Sequence, residues 1–297
     1  MKRVFNFKTG AIFVLLTCIV GYFILLPFDY KITFKSTNAP WLFYHIIQLN
    51  QQEVTLIKQG ENELAFESKP KEDSNYRLVW NMQSLENEET SVEVELHFTQ
   101  NRISEKMKIL LGQSHAVNQT LDELKKLTDG LVTESSQYRW DTLQEDQIGS
   151  ASCLCKSIES KISEKANQMN KNIDGIARYL PIGKKDPPRL YINDMDMEEQ
   201  TIQFDFCFPL PKNYELPELK DETLFVKEQP AIKGYAQAFF GNFSQSHRGW
   251  FKAIQKLEIV EKQIQFPAVE VFYDSPFSFS PENEWKSILY LSTSQRN

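Results

Sequence analysis

The chain has 297 residues, a formal net charge of -7, 41% hydrophobic residues and 25% charged residues. This is a globular composition, long enough for two ordinary domains. The acidic balance argues against nucleic acid as the main partner, because a phosphate backbone needs a basic face. No run of Lys and Arg goes beyond short doublets such as Lys125-Lys126 and Lys184-Lys185.

The first predicted element is the uncharged run Gly10–Phe28, GAIFVLLTCIVGYFILLPF. Its length of about nineteen residues suits a hydrocarbon core of ~30 Å. Lys2, Arg3 and Lys8 precede it, so the positive-inside rule places the N-terminus in the cytoplasm and the rest of the chain outside. Tyr22, Phe23 and Phe28 occupy the end of the run and no small-x-small site follows, which favours an uncleaved anchor over a signal peptide. A single-pass anchor through residues 10–28, with a lipid bilayer as partner, is the expectation.

From Asp29 the pattern changes to period two. Tyr30, Ile32 and Phe34 alternate with Lys31, Thr33 and Lys35, as in a half-buried strand. A short helix opens at Pro40 and carries Trp41, Phe43 and Ile47. Strands follow near Val54–Ile57, Glu63–Glu67, Tyr76–Met82 and Ser91–Phe98, separated by polar loops, so an antiparallel meander is expected. Val117, Leu121, Leu124, Leu127 and Leu131 then fall on one helical stripe. Strand, short helix, meander and long helix make an α+β unit over residues 29–132.

After the polar stretch Thr133–Gln137, strands are expected near Tyr138–Gln147 and Ala151–Lys156. A helix is expected through Ile158, Ile162, Ala166, Met169, Ile173 and Ile176, which step by four and three. Strands Arg189–Ile192 and Thr201–Phe208 complete a first half. The plan then repeats: strands Leu224–Lys227 and Lys233–Phe240, a helix with Trp250, Ile254 and Leu257, and strands Val269–Tyr273 and Ser287–Leu291. PRLYIND from Pro188 and PAVEVFYD from Pro267 hold equivalent places about eighty residues apart, the mark of a duplicated strand–helix–strand–strand unit. Each half alone bares an apolar face, and pairing the halves buries both and leaves a groove suited to a ligand.

The four cysteines, Cys18, Cys153, Cys155 and Cys207, contain no CxxC pair. Cys153 and Cys155 share one face of a strand, and either could pair with Cys207. His45, His97, His115 and His247 lack metal-ligand spacing. Neither a nucleophile elbow nor a Ser–His–Asp arrangement is recognisable. No cofactor and no metal are expected.

The opening DYKITFKSTNAPWLFYHIIQLN resembles the start of the polyketide cyclase/START-like (SRPBCC) superfamily over about residues 29–132. That resemblance implies a helix-grip fold with an apolar ligand between sheet and long helix. YAQAFFGNFSQSHRGWFKAI, FPAVEVFYDSP and ENEWKSILYL resemble the second half of the GyrI-like, or AraC-type effector-binding, domain, and IESKISEKANQMNKNI with PPRLYIND its first half. This second resemblance spans about residues 136–297. It implies a bilobal domain that binds amphipathic, often cationic, small molecules between aromatic walls; some stand-alone members are hydrolases. On the matching blocks, Tyr191, Phe239, Phe243, Trp250, Tyr273, Trp285 and Tyr290 are candidates for the groove wall, with Glu270 as a further ligand contact. Where many members carry a carboxylate on the last strand, this chain has Ile288, which favours neutral apolar ligands. The expected function is therefore non-catalytic binding of a small amphipathic or apolar ligand. The alternatives are a hydrolase, using Glu270 or Asp205 as a buried acid facing a tyrosine, and a structural, partner-binding protein whose groove is filled.

Overall fold

The computed structural model describes residues 21, 27–50, 53–60, 62–69, 74–181, 186–274 and 280–295. The alternation that opens at Tyr30 becomes strand β1 (Tyr30–Ser36), and helix α1 (Pro40–Asn50) follows. Strands β2 (Glu53–Gln59), β3 (Glu63–Lys69), β4 (Tyr76–Ser84) and β5 (Thr90–Phe98) form the expected meander, and β1 closes it against β5. The order β1-β5-β4-β3-β2 is antiparallel throughout. In β4 and β5 every second residue is buried, Leu78, Trp80 and Met82 opposite Leu96, Val94 and Val92. Phe43 of α1 and Phe66 of β3 are withdrawn from water completely. Burial of one such ring stabilises by about 1.5–3 kcal/mol.

A helix that periodicity did not suggest, α2 (Arg102–Leu110), precedes the long helix α3 (His115–Ser135). Ile103, Met107 and Leu110 fall at helical spacing, yet all three are exposed. Ser114 caps α3, its Oγ accepting from Val117 N at 3.4 Å, and α3 buries Val117, Thr120, Leu124 and Leu131.

The second sheet contains β6 (Arg139–Trp140), β7 (Gln144–Ile148), β8 (Ala151–Lys161), β9 (Arg189–Asp196), β10 (Thr201–Pro209), β11 (Leu224–Gln229), β12 (Ile232–Phe240), β13 (Lys262–Phe272) and β14 (Lys286–Gln295). Its order is β11-β8-β10-β9-β13-β14-β12-β6, with β7 also paired to β12. Helix α4 (Lys165–Ala177) joins β8 to β9, and α5 (His247–Ile259) joins β12 to β13. The two strand–helix–strand–strand units thus meet at the centre of one sheet. There β9 and β13 run antiparallel, with Val269 opposite Tyr191 and Glu270 opposite Leu190.

Three expectations are corrected. The helix does not start at Ile158: β8 continues to Lys161 with Ile158 opposite Phe204, a short 3-10 turn follows over Ile162–Glu164, and the α-helix begins at Lys165. Cross-strand pairing overrides a spacing that fits either element. The strand expected over Tyr138–Gln147 is broken into β6 and β7, both on β12. Most consequential is the membrane expectation, with its cytoplasmic N-terminus, extracytoplasmic domains and bilayer partner. Among the described residues no helix is long and apolar enough to cross a membrane. The longest of these, α3, has 21 residues but is amphipathic, with Asp122, Glu123, Lys125 and Lys126 in its middle. Of the run 10–28, all but Gly21, Pro27 and Phe28 lies outside the described residues.

Candidate functional site

Strand alternation sorts the candidate residues onto two faces of the second sheet. Leu190 and Ile192 of β9, Phe206 and Phe208 of β10, Phe272 of β13 and Leu289 and Leu291 of β14 join the main core, which includes side chains of α4 and α5. Tyr191, Val269, Val271 and Tyr290 point to the other face, where they pack with Cys153, Cys155, Cys207 and Ile232, and Ile288 lies against them. Tyr191 is fully buried there and Tyr290 nearly so. The residues expected to line one groove are therefore divided between two faces.

The helix-covered face carries a cavity of about 710 Å³. Phe206 and Phe208 from β10, Phe272 from β13, Phe243 after β12 and Trp285 before β14 give its aromatic boundary, and α4 contributes Met169 and Ile173. Local chemistry fixes the two rings from loops. Asn242 Oδ1 accepts from Ser244 N at 2.9 Å, closing the short helical turn Phe243–Gln245. Phe243 then sits 4.9 Å from the Phe272 ring and 5.5 Å from that of Trp285. Trp285 Nε1 donates to Ser280 O at 3.0 Å, and Trp285 O accepts from Gly241 N at 2.9 Å. Gly241 has φ +153°, and a Cβ there would lie 2.7 Å from Cβ of Tyr138, so only glycine fits this turn.

Among the described residues around the cavity, the charged ones are Asp186, Asp274 and Glu282, all acidic. Glu282 Oε2 accepts from Asn242 Nδ2 at 2.8 Å, and Asp274 Oδ2 accepts from Lys286 N at 2.8 Å. Tyr273 stands at the mouth, 48% exposed. Its hydroxyl interacts with that of Tyr290, whose phenol is raised first by burial and then by this neighbour.

Glu270 does not reach the cavity as a free acid. Its Oε2 accepts from Lys165 Nζ at 3.0 Å and its Oε1 from Ser287 Oγ at 2.8 Å. Lys165 also donates to Ser246 Oγ and lies 4.3 Å from the centre of the Trp250 ring. Burial lowers the Lys165 ammonium from its ordinary value, and Glu270 opposes that shift. Glu270 and Trp250 are thus brought together, but as the surroundings of a buried lysine. Phe239 stacks on Tyr138 at 5.9 Å and packs against Gly249, away from the aromatic boundary.

Asp205 is hydrogen-bonded by Ser157 Oγ at 2.6 Å and Lys227 Nζ at 3.0 Å. Burial pushes its carboxyl up, but these two partners outweigh that and hold it below the usual range. An Asp205 held below its usual range is a poor proton donor near neutrality, which is the opposite of what general acid catalysis needs, and both carboxylate oxygens of Glu270 are occupied by Lys165 and Ser287. The Cys155–Cys207 disulfide resolves the pairing that sequence left open: β8–β10 register sets these two cysteines opposite each other, and Cys153 opposite Pro209.

Of the expected residues, Phe243, Tyr273 and Trp285 border the cavity. Phe206, Phe208, Phe272 and the three acids were not singled out from sequence, although the alternation of Phe204, Phe206 and Phe208 was a usable signal for one shared face.

No family model matches the chain, and no curated protein matches it. Solved structures do resemble it. One is the cryo-EM structure of an EcmrR–DNA complex, at 12% identity over 65% of this chain and 72% of that one, with a TM-score of 0.43. A second is the crystal structure of the EcmrR C-terminal domain, at 13% identity over 53% of this chain and 98% of that one, TM-score 0.40. A third is SAV2435 bound to tetraphenylphosphonium, at 8% identity over 52% and 94%, TM-score 0.35. Likenesses at these identities and TM-scores put no weight on the chemistry of the site.

Proposed function

We propose that the chain is a non-catalytic small-molecule-binding protein whose ligand occupies the aromatic cavity beside α4. The observation that carries this reading is the boundary itself: about 710 Å³ bordered by Phe206, Phe208, Phe243, Phe272 and Trp285, with only acidic charges among the described residues around it. A ligand site of this size and apolarity, with few polar groups, is the usual form of a small-molecule pocket. Aromatic faces and carboxylates both attract positive charge. The ligand class is therefore a flat or globular apolar body bearing a positive charge. This departs from the preference for neutral ligands drawn from Ile288, because Ile288 packs on the opposite face of the sheet. Tetraphenylphosphonium, carried by one of the structures similar to this chain, is a suitable first probe.

The helix-grip reading of the first lobe belongs to the same proposal. A smaller cavity of about 350 Å³ lies among Ile46 and Ile47 of α1, Leu78 and Trp80 of β4, and Thr120, Leu124 and Leu127 of α3, the place where such a fold would hold an apolar ligand.

The test is a paired titration of the full chain with a cationic dye and a neutral dye of similar shape. The cation should bind more tightly, and Trp285→Ala and Phe243→Ala should each weaken it by at least about tenfold, the loss of roughly 1.4 kcal/mol. Equal affinity for the two dyes would remove the charge preference. Unchanged affinity in both variants would remove the cavity as the site.

A further inference from the structure

The charges and the rings around the cavity are not mixed. Glu282 is exposed and Asp274 half-buried, whereas Phe206, Phe208, Phe243, Phe272 and Trp285 are buried. The acids therefore stand at the open end of the cavity and the rings at the enclosed end.

Beyond the rings lies a second group of side chains, and each comes from an element that also supplies the cavity boundary. On β13, Phe272 borders the cavity, and Glu270, two residues back, faces the same way about 7 Å along the strand. On the extended run into β14, Trp285 borders the cavity and Ser287 is two residues on. Before α5, Phe243 borders it and Ser246 follows that turn. On α4, Ala166 borders it and Lys165 precedes. The four inner residues converge, each at most 1% exposed. Lys165 Nζ donates to Glu270 Oε2 at 3.0 Å and to Ser246 Oγ, and Ser287 Oγ donates to Glu270 Oε1 at 2.8 Å. The same ammonium lies 4.3 Å from the centre of the Trp250 ring and 5.7 Å from that of Phe272. The Phe272 ring is thus common to the cavity and to the surroundings of the lysine.

A carboxylate, hydroxyls and aromatic faces around one ammonium are the groups with which a protein recognises a ligand cation. Here the ammonium is the chain's own. We propose that this cage is the inner end of the ligand cavity, an alkylammonium site that Lys165 occupies as a tethered counter-ion. The proposal rests on the cavity reading above and extends it to how a ligand lies. Both oxygens of Glu270 are taken, and a second cation at the inner end would meet the first. At the open end, Glu282 and Asp274 each meet one donor, through one oxygen, among the described residues. A ligand's positive charge is therefore held at the mouth and its apolar part points inward. Lys165 determines specificity by turning away ligands whose charge would lie at the buried end.

Lys165→Ala removes the stem and the ammonium, which n-propylammonium replaces. Displacement of the cationic dye from the full chain by n-hexylammonium and by n-hexanol compares a charged and a neutral ligand of one shape. The preference for hexylammonium over hexanol should rise at least about tenfold in Lys165→Ala relative to wild type. Propylammonium should raise the urea midpoint of that variant, and propanol should not. The preference shown by wild type should fall several-fold in Asp274→Asn/Glu282→Gln, which carries the test if Lys165→Ala does not fold. An unchanged preference in either variant overturns the proposal. A midpoint raised by propylammonium without any gain in hexylammonium binding also overturns it, because the cage would then be sealed from the cavity. Wild type that binds neither the dye nor a hexyl probe removes the cavity reading and the proposal together, and it differs from the other outcomes in leaving no preference to measure.

Discussion

Lys165 and Glu270 form an ion pair, Nζ to Oε2 3.0 Å, with both side chains 1% exposed. They come from the helix of one repeat unit and a strand of the other, 105 residues apart. Two charges so enclosed owe their presence to each other, because the desolvation of either alone is uncompensated.

Glu270→Leu should therefore destabilise by about 3–5 kcal/mol, leaving an ammonium buried without its anion. Lys165→Met/Glu270→Leu should cost much less than either single change, since packed apolar groups can replace such a pair. Urea unfolding of the three variants measures this. A double variant as damaged as the sum of the singles would show that the two residues act separately.

The same pair shows where sequence reading stopped. Alternation in Tyr30–Phe34, Tyr76–Met82 and Ser91–Phe98 predicted strands that exist, because a half-buried strand writes its period directly into the chain. The repeat was equally visible in PRLYIND and PAVEVFYD. What alternation could not give was which face of the second sheet each candidate would meet. Val271 is opposite Ile288 and Glu270 opposite Leu289, so a carboxylate and an isoleucine read as one groove point to opposite faces. Lys165, between Ile162 and Ala166, reads as a wet helical position, and only the fold shows it enclosed by Trp250, Ser246 and Glu270.

That placement changes what Ile288→Glu should do. The new acid would enter the packed layer of Tyr191, Val271 and Tyr290 rather than a ligand groove. An unpaired acid there should lower stability by about 2–4 kcal/mol and leave the affinity for a cationic dye unchanged. Denaturation and dye titration of the same variant decide the matter. A stable variant with sharply tighter cation binding would restore the groove on that face.

Cys153 is the free cysteine among the described residues, and it is fully buried beside the Cys155–Cys207 disulfide. Burial raises its thiol from 9.0 to about 11, with Arg189 opposing. Such a rise lowers the thiolate fraction at pH 8 about a hundredfold, and the thiolate is the reactive form. Iodoacetamide should modify Cys153 slowly in native protein and readily after denaturation, as read by mass spectrometry of the peptide that contains it. Native labelling at the rate of a free peptide thiol would contradict the enclosed position.

Lys252 ties α5 to the first lobe, donating to Thr37 O at 3.1 Å, to Glu88 O and to Gln255 Oε1 at 3.0 Å. Lys252→Met keeps the aliphatic stem but strands those oxygens, at a cost of about 1–3 kcal/mol. Burial also lowers this ammonium from 10.5 to about 8. Between those two values the unfolded chain holds the proton and the folded one releases it, so this group makes stability rise with pH from about 8 to about 10.5. Below pH 8 both states are protonated and its contribution is flat. Urea midpoints of wild type and Lys252→Met at pH 8 and pH 10 isolate the effect, since other groups titrating in that range are common to both proteins. The gap between the two proteins should widen at pH 10. A gap that is constant or narrows would mean that the carbonyl cage, rather than burial, governs the lysine's proton.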